Sequence, residues 1–207
     1  MKRGKLITFE GIDGAGKSTH LAWSTDFLRG RGARVIVTRE PGGTVLGEQL
    51  RQILLAGDQP IHPETETLMM FTARRQHLEE VISPALQRGD WVLCDRFTDA
   101  SFAYQGGGRG VAKDKLEALE RWVHPDLQPD LTLYFDVSAE LGRSRVVCIK
   151  SPDRFEREDV EFFSRVRNAY LERLQQWPIR MVRIDGSNPI ADIQKELEQR
   201  LLAVWKK

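Results

Sequence analysis

The residues best suited to chemistry come first in one short stretch, Gly11-Ile12-Asp13-Gly14-Ala15-Gly16-Lys17-Ser18-Thr19. It fits G-x-x-x-x-G-K-[ST], the pattern of a loop that cradles phosphates. The glycines allow a tight turn that presents successive backbone N–H groups to phosphate oxygens. Gly11, Asp13, Gly14, Ala15, Gly16, Lys17, Ser18 and Thr19 are therefore candidate phosphate-binding residues. Lys17 is expected to reach the β- and γ-phosphates, and the Ser18 hydroxyl to hold Mg²⁺. A helix starting near Lys17 would add its positive end to the same site.

Arginines form the second group. Arg39, Arg51, Arg75 and Arg96 sit at or near the ends of strand-like runs, or on segments of helical spacing. Guanidinium forks suit phosphate oxygens, although any one arginine could equally be a surface residue or half of an ion pair. Asp95 follows a buried-looking run, where a Mg²⁺-organising carboxylate is expected. Gly106-Gly107-Gly108-Arg109-Gly110 reads as a flexible loop that either closes over a ligand or simply turns. Phe71 lies in a helical apolar stripe, so its residue pattern favours core packing over base stacking.

Elements must hold these groups in place. Five β-rich runs are visible: Lys5–Phe9, Ala33–Thr38, Asp90–Cys94, Leu131–Phe135 and, more weakly, Arg180–Ile184. Helical spacing lies between them, through Leu21, Phe27 and Leu28, then Leu46 to Leu54, then about Glu64 to Gln87, and finally Ile190 to Val204. Gly57 to Pro63 is a break, and Pro84 should kink or split the third helix. Alternating strands and helices imply an α/β fold, a parallel sheet with helices on both faces. Ligands in such sheets bind beyond the carboxyl ends of the strands. That rule gathers the glycine loop, Arg39, Asp95, Arg96 and the segment after Phe135 on one rim.

Composition narrows the function. The 207 residues suffice for one sizeable core and one domain, 1–207. Lys and Arg total 31 against 30 Asp and Glu, a net charge of +1, so no basic field points to nucleic acid. Glu10 and Asp13 interrupt the first apolar run too early for a signal peptide, and no stretch approaches membrane-spanning length. Cys94 and Cys148 form neither a close pair nor a metal-ligand spacing and read as buried or half-buried thiols. The expected setting is the cytoplasm.

Several blocks together resemble a known family. Phe9-Glu10-Gly11, Thr38-Arg39-Glu40-Pro41-Gly42-Gly43, Asp95-Arg96-Phe97, Ala103-Tyr104-Gln105 with the glycines that follow, Pro129-Asp130-Leu131-Thr132-Leu133 and Asp153-Arg154-Phe155-Glu156 are similar to bacterial thymidylate kinases. The resemblance runs from about residue 5 to the last helix. It implies the P-loop nucleoside monophosphate kinase fold, with a five-stranded parallel sheet and a short lid at about 143–157. It implies transfer of the γ-phosphoryl of ATP, with Mg²⁺, to dTMP, giving dTDP in dTTP biosynthesis, by a homodimer.

Carried over by position, the resemblance implies that Asp13 holds the 3′-hydroxyl side of dTMP. Arg39 and Arg96 grip its phosphate, and Arg51 shapes the pocket. Phe71 stacks on thymine and Arg75 bonds the base edge. Ser101 and Gln105 complete base recognition, and Tyr104 sits under the sugar. Lys17, Arg96, Arg145 and Arg154 form the implied catalytic set, and Ser18 and Asp95 hold Mg²⁺, partly through water. The lid departs from the family pattern. Val147 and Ile149 stand where bacterial relatives carry arginines, so Arg145 and Arg154 are expected to supply the lid cation, with Lys150 as a further candidate.

Two rivals make different demands. A deoxynucleoside kinase attacks with a sugar hydroxyl and benefits from a general base, whereas a phosphate acceptor is already anionic at pH 7 and needs none. A GTPase-type switch commonly carries Asn-Lys-x-Asp and a D-x-x-G after the third strand, and neither stretch is present.

Overall fold

The computed structural model describes residues 3–56, 59–146 and 153–206. Five parallel strands, β1 (Leu6–Glu10), β2 (Val35–Arg39), β3 (Trp91–Asp95), β4 (Leu131–Asp136) and β5 (Met181–Asp185), form one sheet in the order β2-β3-β1-β4-β5. β1 lies at the centre, with Ile7 paired to Leu93 on one side and Leu131 on the other. Every residue of β1 and β4 is buried, as expected of strands covered on both faces. The edge strands β2 and β5 are only partly buried.

Side-chain alternation along the strands divides the core. Leu6, Val92 and Cys94 pack against Leu78, Ile82, Ala85 and Leu86. Their neighbours Ile7 and Leu93 turn the other way, toward helix α1 (Lys17–Gly30) and the C-terminal helix. Each such buried side chain contributes about 1.5–3 kcal/mol relative to exposure. The polar pair inside the sheet is satisfied, with Thr8 Oγ1 and Thr132 Oγ1 2.9 Å apart and Arg180 Nη1 donating to Thr132 Oγ1 at 3.0 Å. No helix among the described residues is long and apolar enough to cross a membrane.

Helix α2 (Val45–Ala56) follows the turn after β2. The expected helix from Glu64 to Gln87 is divided, as Pro84 requires. Helix α3 (Pro63–His77) passes into a π-helical turn at Leu78–Ile82 and then into α4 (Ser83–Gln87), where proline lies in the first turn and needs no N–H partner. After β3, the short α5 (Thr98–Ser101) runs into a second π-helical stretch, Phe102–Gly108.

That stretch corrects the expectation of a flexible glycine loop at 106–110. Gly106, Gly107 and Gly108 are packing residues, whereas Gly110 has open space around it and a left-handed φ of 75°. A Cβ on Gly108 would lie 2.5 Å from Phe162 Cε2, so only glycine lets this segment approach the helix that carries Phe162. The sequence reading did not mark the remaining helices, α6 (Lys113–Val123), α7 (Ala139–Val146) and α8 (Val160–Gln176). The last helix is α9 (Ile190–Trp205). Cys94 is buried; Cys148 and the lid positions Val147, Ile149 and Lys150 lie outside the described residues.

Candidate active site

The glycine loop joins the end of β1 to α1, at the carboxyl rim of the sheet. Gly14 has φ 78° and Gly16 φ 93°, in the left-handed region. A Cβ on Gly14 would lie 2.2 Å from the Gly142 carbonyl oxygen, so the loop is built against α7 with no room for a side chain.

Lys17 is 5% exposed, and its Nζ donates to the Ile12 carbonyl at 2.9 Å. Asp13 Oδ1 lies 3.5 Å from the same ammonium. Burial, and then the nearby Arg96 guanidinium, lower the Lys17 pKa. A polyphosphate beside it would restore the favourable charge balance. Asp13 behaves in the opposite way. Burial pulls its carboxyl up, but Arg96 and Lys17 overcome this and hold it at about 2.

Arg96 connects the loop to a neighbouring cavity. It follows β3 with φ 70°, a left-handed conformation that costs a non-glycine residue about 1–3 kcal/mol. Its Nη1 donates to the Gly11 carbonyl at 2.6 Å and its Nη2 to Asp13 Oδ1 at 2.8 Å, while the guanidinium lies 4.8 Å from the Tyr104 ring centroid. The turn is pinned from below. Phe97 N–H donates to Glu10 Oε1 at 2.7 Å, and Tyr170 hydroxyl to Glu10 Oε2 at 2.8 Å. Burial first, and then the charge of Asp99, push the Glu10 carboxyl up to about 8.

The cavity beside Arg96 is lined by Asp13, Arg51, Met70, Arg74, Tyr104 and Gln105, among others. Arg51 donates to the Pro41 carbonyl at 3.0 Å. Ser101 is also in the wall, where its Oγ accepts from Arg74 Nη2 at 2.9 Å. Phe155 sits edge-on to Tyr104 at 5.8 Å. Asp13, Arg51, Arg96, Ser101, Tyr104 and Gln105 are thus brought together as the sequence suggested.

Phe71 and Arg75 are not part of this wall. Phe71 is 2% exposed and packs in a cluster with Phe102, Val111 and Leu116. Arg75 is exposed and bonds Glu79 Oε2 at 2.8 Å. The cavity instead receives Met70 and Arg74, one position earlier on α3. Both pairs have four-residue spacing, so periodicity could not choose between them, and one residue turns a helical side chain by about 100°. A buried acid decides the register. Glu40 accepts from Arg74 Nε at 2.7 Å and bonds His77 Nδ1 at 3.0 Å. Only a guanidinium with a buried acid to neutralise it can face inward here, and Arg75 has no such partner.

Arg39 also departs from expectation. It pairs with Glu48 at 2.9 Å and faces a second hollow, shared with Ser18, Thr38 and Asp95, rather than the cavity of Arg96. Asp95 Oδ1 is buried there with no hydrogen-bond partner among the described residues. A carboxylate oxygen beside a serine hydroxyl is a hard-donor set that fits Mg²⁺. Of the two arginines expected to serve a lid, Arg145, on α7, reaches the loop and donates from Nη1 to the Gly14 and Gly186 carbonyls at 3.2 and 2.9 Å. Arg154 is committed elsewhere, to Glu66 and to the Leu54 carbonyl, the latter at 2.9 Å.

The sequence reading therefore missed Glu10, Glu40, Met70, Arg74 and His77. Glu10 and Glu40 stood inside the quoted blocks, but nothing in their neighbours marked them as buried. The tandem Arg74-Arg75 was the one visible sign that the register was ambiguous.

A family model described as thymidylate kinase matches residues 9–197. The chain belongs to the thymidylate kinase family. A thymidylate kinase of Nitrosomonas europaea is 59% identical over 205 residues, covering 99% of this chain and 95% of that relative. One of Burkholderia thailandensis is 59% identical over 208 residues, covering 99% and 100%. Among solved structures, thymidylate kinase from Ehrlichia chaffeensis superposes with a TM-score of 0.79 at 32% identity, covering 96% of this chain and 99% of that one. The P-loop kinase fold and the family's kinase character thus agree with the loop and rim described above.

Proposed function

We propose that this chain transfers the γ-phosphoryl group of ATP to the 5′-phosphate of dTMP, giving dTDP and ADP, and so serves dTTP biosynthesis. The observation that carries the reading is Arg96, which binds the phosphate loop through the Gly11 carbonyl and at the same time lines the adjoining cavity. A nucleotide in the loop and a monophosphate in the cavity would meet at this guanidinium.

The acceptor's phosphate has a second pKa of about 6, so an anionic oxygen is already available at pH 7. That oxygen bonds to the γ-phosphorus while the bond to the β–γ bridging oxygen breaks, and ADP leaves with the electron pair. Alignment and charge neutralisation lower the barrier. Lys17, Arg96 and Arg145 supply cations around the transferred group, and Arg51 flanks the acceptor phosphate. Ser18 and Asp95 would hold Mg²⁺, partly through water; when bound, it neutralises charge on the β- and γ-oxygens.

In the cavity, Met70 takes the place proposed for an aromatic platform, with its polarizable thioether against the base. Arg74 Nη1 is buried without a partner among the described residues and offers a donor to a base carbonyl. Gln105 offers an acceptor to a ring N–H, and Tyr104 occupies the space that a 2′-hydroxyl would need. One domain with a lid at about 143–157 carries these groups. Exposed Val45, Leu46 and Ile53 on α2, with Leu68 on α3, suit burial in a homodimer, testable by light scattering after gel filtration. The proposed setting is the cytoplasm.

The experiment is ADP release with ATP and Mg²⁺ across dTMP, dUMP, UMP and thymidine. Strong turnover of dTMP, weaker turnover of dUMP and almost none of UMP is the expected order. Turnover of thymidine but not dTMP would overturn the reading in favour of a nucleoside kinase.

A further inference from the structure

Glu66, in the first turn of α3, is fully buried. A carboxylate in that position is costly unless both oxygens are paired. Oε1 accepts from Gln105 Nε2 at 2.8 Å, and Oε2 accepts from Arg154 Nη2 and lies 3.3 Å from Arg109 Nε. The partners come from two separate parts of the chain. Gln105 belongs to the π-helical stretch in the cavity wall, and Arg154 stands at the C-terminal foot of the lid.

We infer that Glu66 is a positioning residue that sets the hydrogen-bonding sense of Gln105 toward the acceptor base and ties the lid foot to the same pocket. The inference rests on the dTMP reading proposed above. A carboxylate only accepts, so the Gln105 amide must turn its NH₂ to Glu66 and its carbonyl oxygen the other way. Arg74, beside it in the wall, offers a donor. The wall then presents one acceptor and one donor, which match the N3–H and C4 carbonyl of thymine. Cytosine has the reverse pattern, with a bare N3 and a C4 amine.

The lid arm is equally specific. Arg154 Nε donates to the Leu54 carbonyl at 2.9 Å and its backbone N–H to the Leu55 carbonyl at 3.3 Å. Its guanidinium also lies 4.8 Å from the centroid of Phe155, which lines the cavity and meets the Tyr104 ring edge-on. Glu66 therefore holds the base-reading amide and the lid foot with two oxygens of one carboxylate.

The test compares kcat/KM for dTMP and dCMP in wild type, Glu66→Gln, Glu66→Asp, Arg154→Met and Gln105→Ala. The amide introduced by Glu66→Gln can donate or accept, which frees Gln105 to flip. This substitution is expected to lower the dTMP-to-dCMP ratio at least 10-fold, with the KM for ATP within twofold of wild type. In a Gln105→Ala background the same substitution should change the ratio less than twofold, because it acts through that amide. Glu66→Asp, which keeps the acceptor, should retain most of the ratio. Arg154→Met should retain the ratio, lower kcat and raise hydrogen exchange at residues 153–158, and Glu66→Gln should raise the same exchange. A folded Glu66→Gln enzyme with an unchanged ratio, or an effect that persists without Gln105, would overturn the inference. Loss of the folded state in both Glu66 variants would make the residue a folding element and overturn it as well. A wild type with no preference for dTMP over dCMP would instead sink the acceptor reading itself.

Discussion

The phosphate loop takes its groups from one unbroken stretch, Gly11 to Thr19, whereas the neighbouring cavity gathers Arg51, Met70, Arg74, Arg96 and Gln105 from separate elements. The first site is largely backbone. Its donors are peptide N–H groups fixed by φ values that glycine permits, and its one buried side-chain cation is Lys17. The second is made of side chains whose direction depends on what each helix packs against. A contiguous backbone site leaves a pattern in the sequence; a site assembled from helix faces leaves residues whose orientation only tertiary partners fix.

The largest effect should come from the loop. Lys17→Ala removes a charge at the transferred group and should lower kcat by roughly 10²–10³-fold. Steady-state kinetics checks it, and near-normal kcat would show that the loop is not the catalytic half. In the cavity, Arg74→Ala should raise the KM for dTMP about 10–100-fold while leaving that for ATP within a few-fold, because it also strands the buried Glu40. The companion Arg75→Ala should change neither KM by more than about twofold, since Arg75 is an exposed partner of Glu79. Equal effects of the two would mean that α3 is turned otherwise than described.

Smaller effects separate scaffold from site. Gly108→Ala should cost about 1–3 kcal/mol of stability by overpacking against Phe162, read by urea unfolding. If stability were unchanged, the glycine stretch would be the open loop that its composition suggests. Glu10 gives a pH signature. Its folded pKa of about 8 lies above the ordinary 4.5, so between these values the native state holds a proton that the unfolded chain lacks. Its contribution is therefore fully present below about 4.5 and is lost as pH rises through about 8. Asp13, held at about 2, has the opposite sign, and its contribution is lost only in acid. Thermal unfolding from pH 5 to 9 should show a decline that Glu10→Gln flattens. An identical pH dependence in the two proteins would remove Glu10 from the account.

What could be read from the sequence follows the same division. The central strands announced themselves because both faces are covered, so Leu6 to Phe9 and Leu131 to Phe135 are nearly continuous apolar runs. Pro84 marked the division of its helix. Arg96 was recognisable because it directly follows a buried strand. Phe71 and Arg75 were misplaced by one residue because the spacing of four is identical for Met70 and Arg74, and the deciding partner, Glu40, lies 34 residues from Arg74. The glycines at 106–108 were taken for freedom when they answer a need for close approach to α8, a need visible only from the helix that was not foreseen. Glu66 carried no local signal at all, since its three partners lie 39 to 88 residues away.

The most direct test of the account is ³¹P NMR of a mixture of ATP, Mg²⁺, dTMP and the purified protein. The β-phosphate resonances of dTDP and ADP should grow together, in equal amounts, while inorganic phosphate stays flat. ADP formed with inorganic phosphate and no dTDP would contradict it, leaving a nucleotide-hydrolysing loop beside a cavity that does not bring dTMP to it.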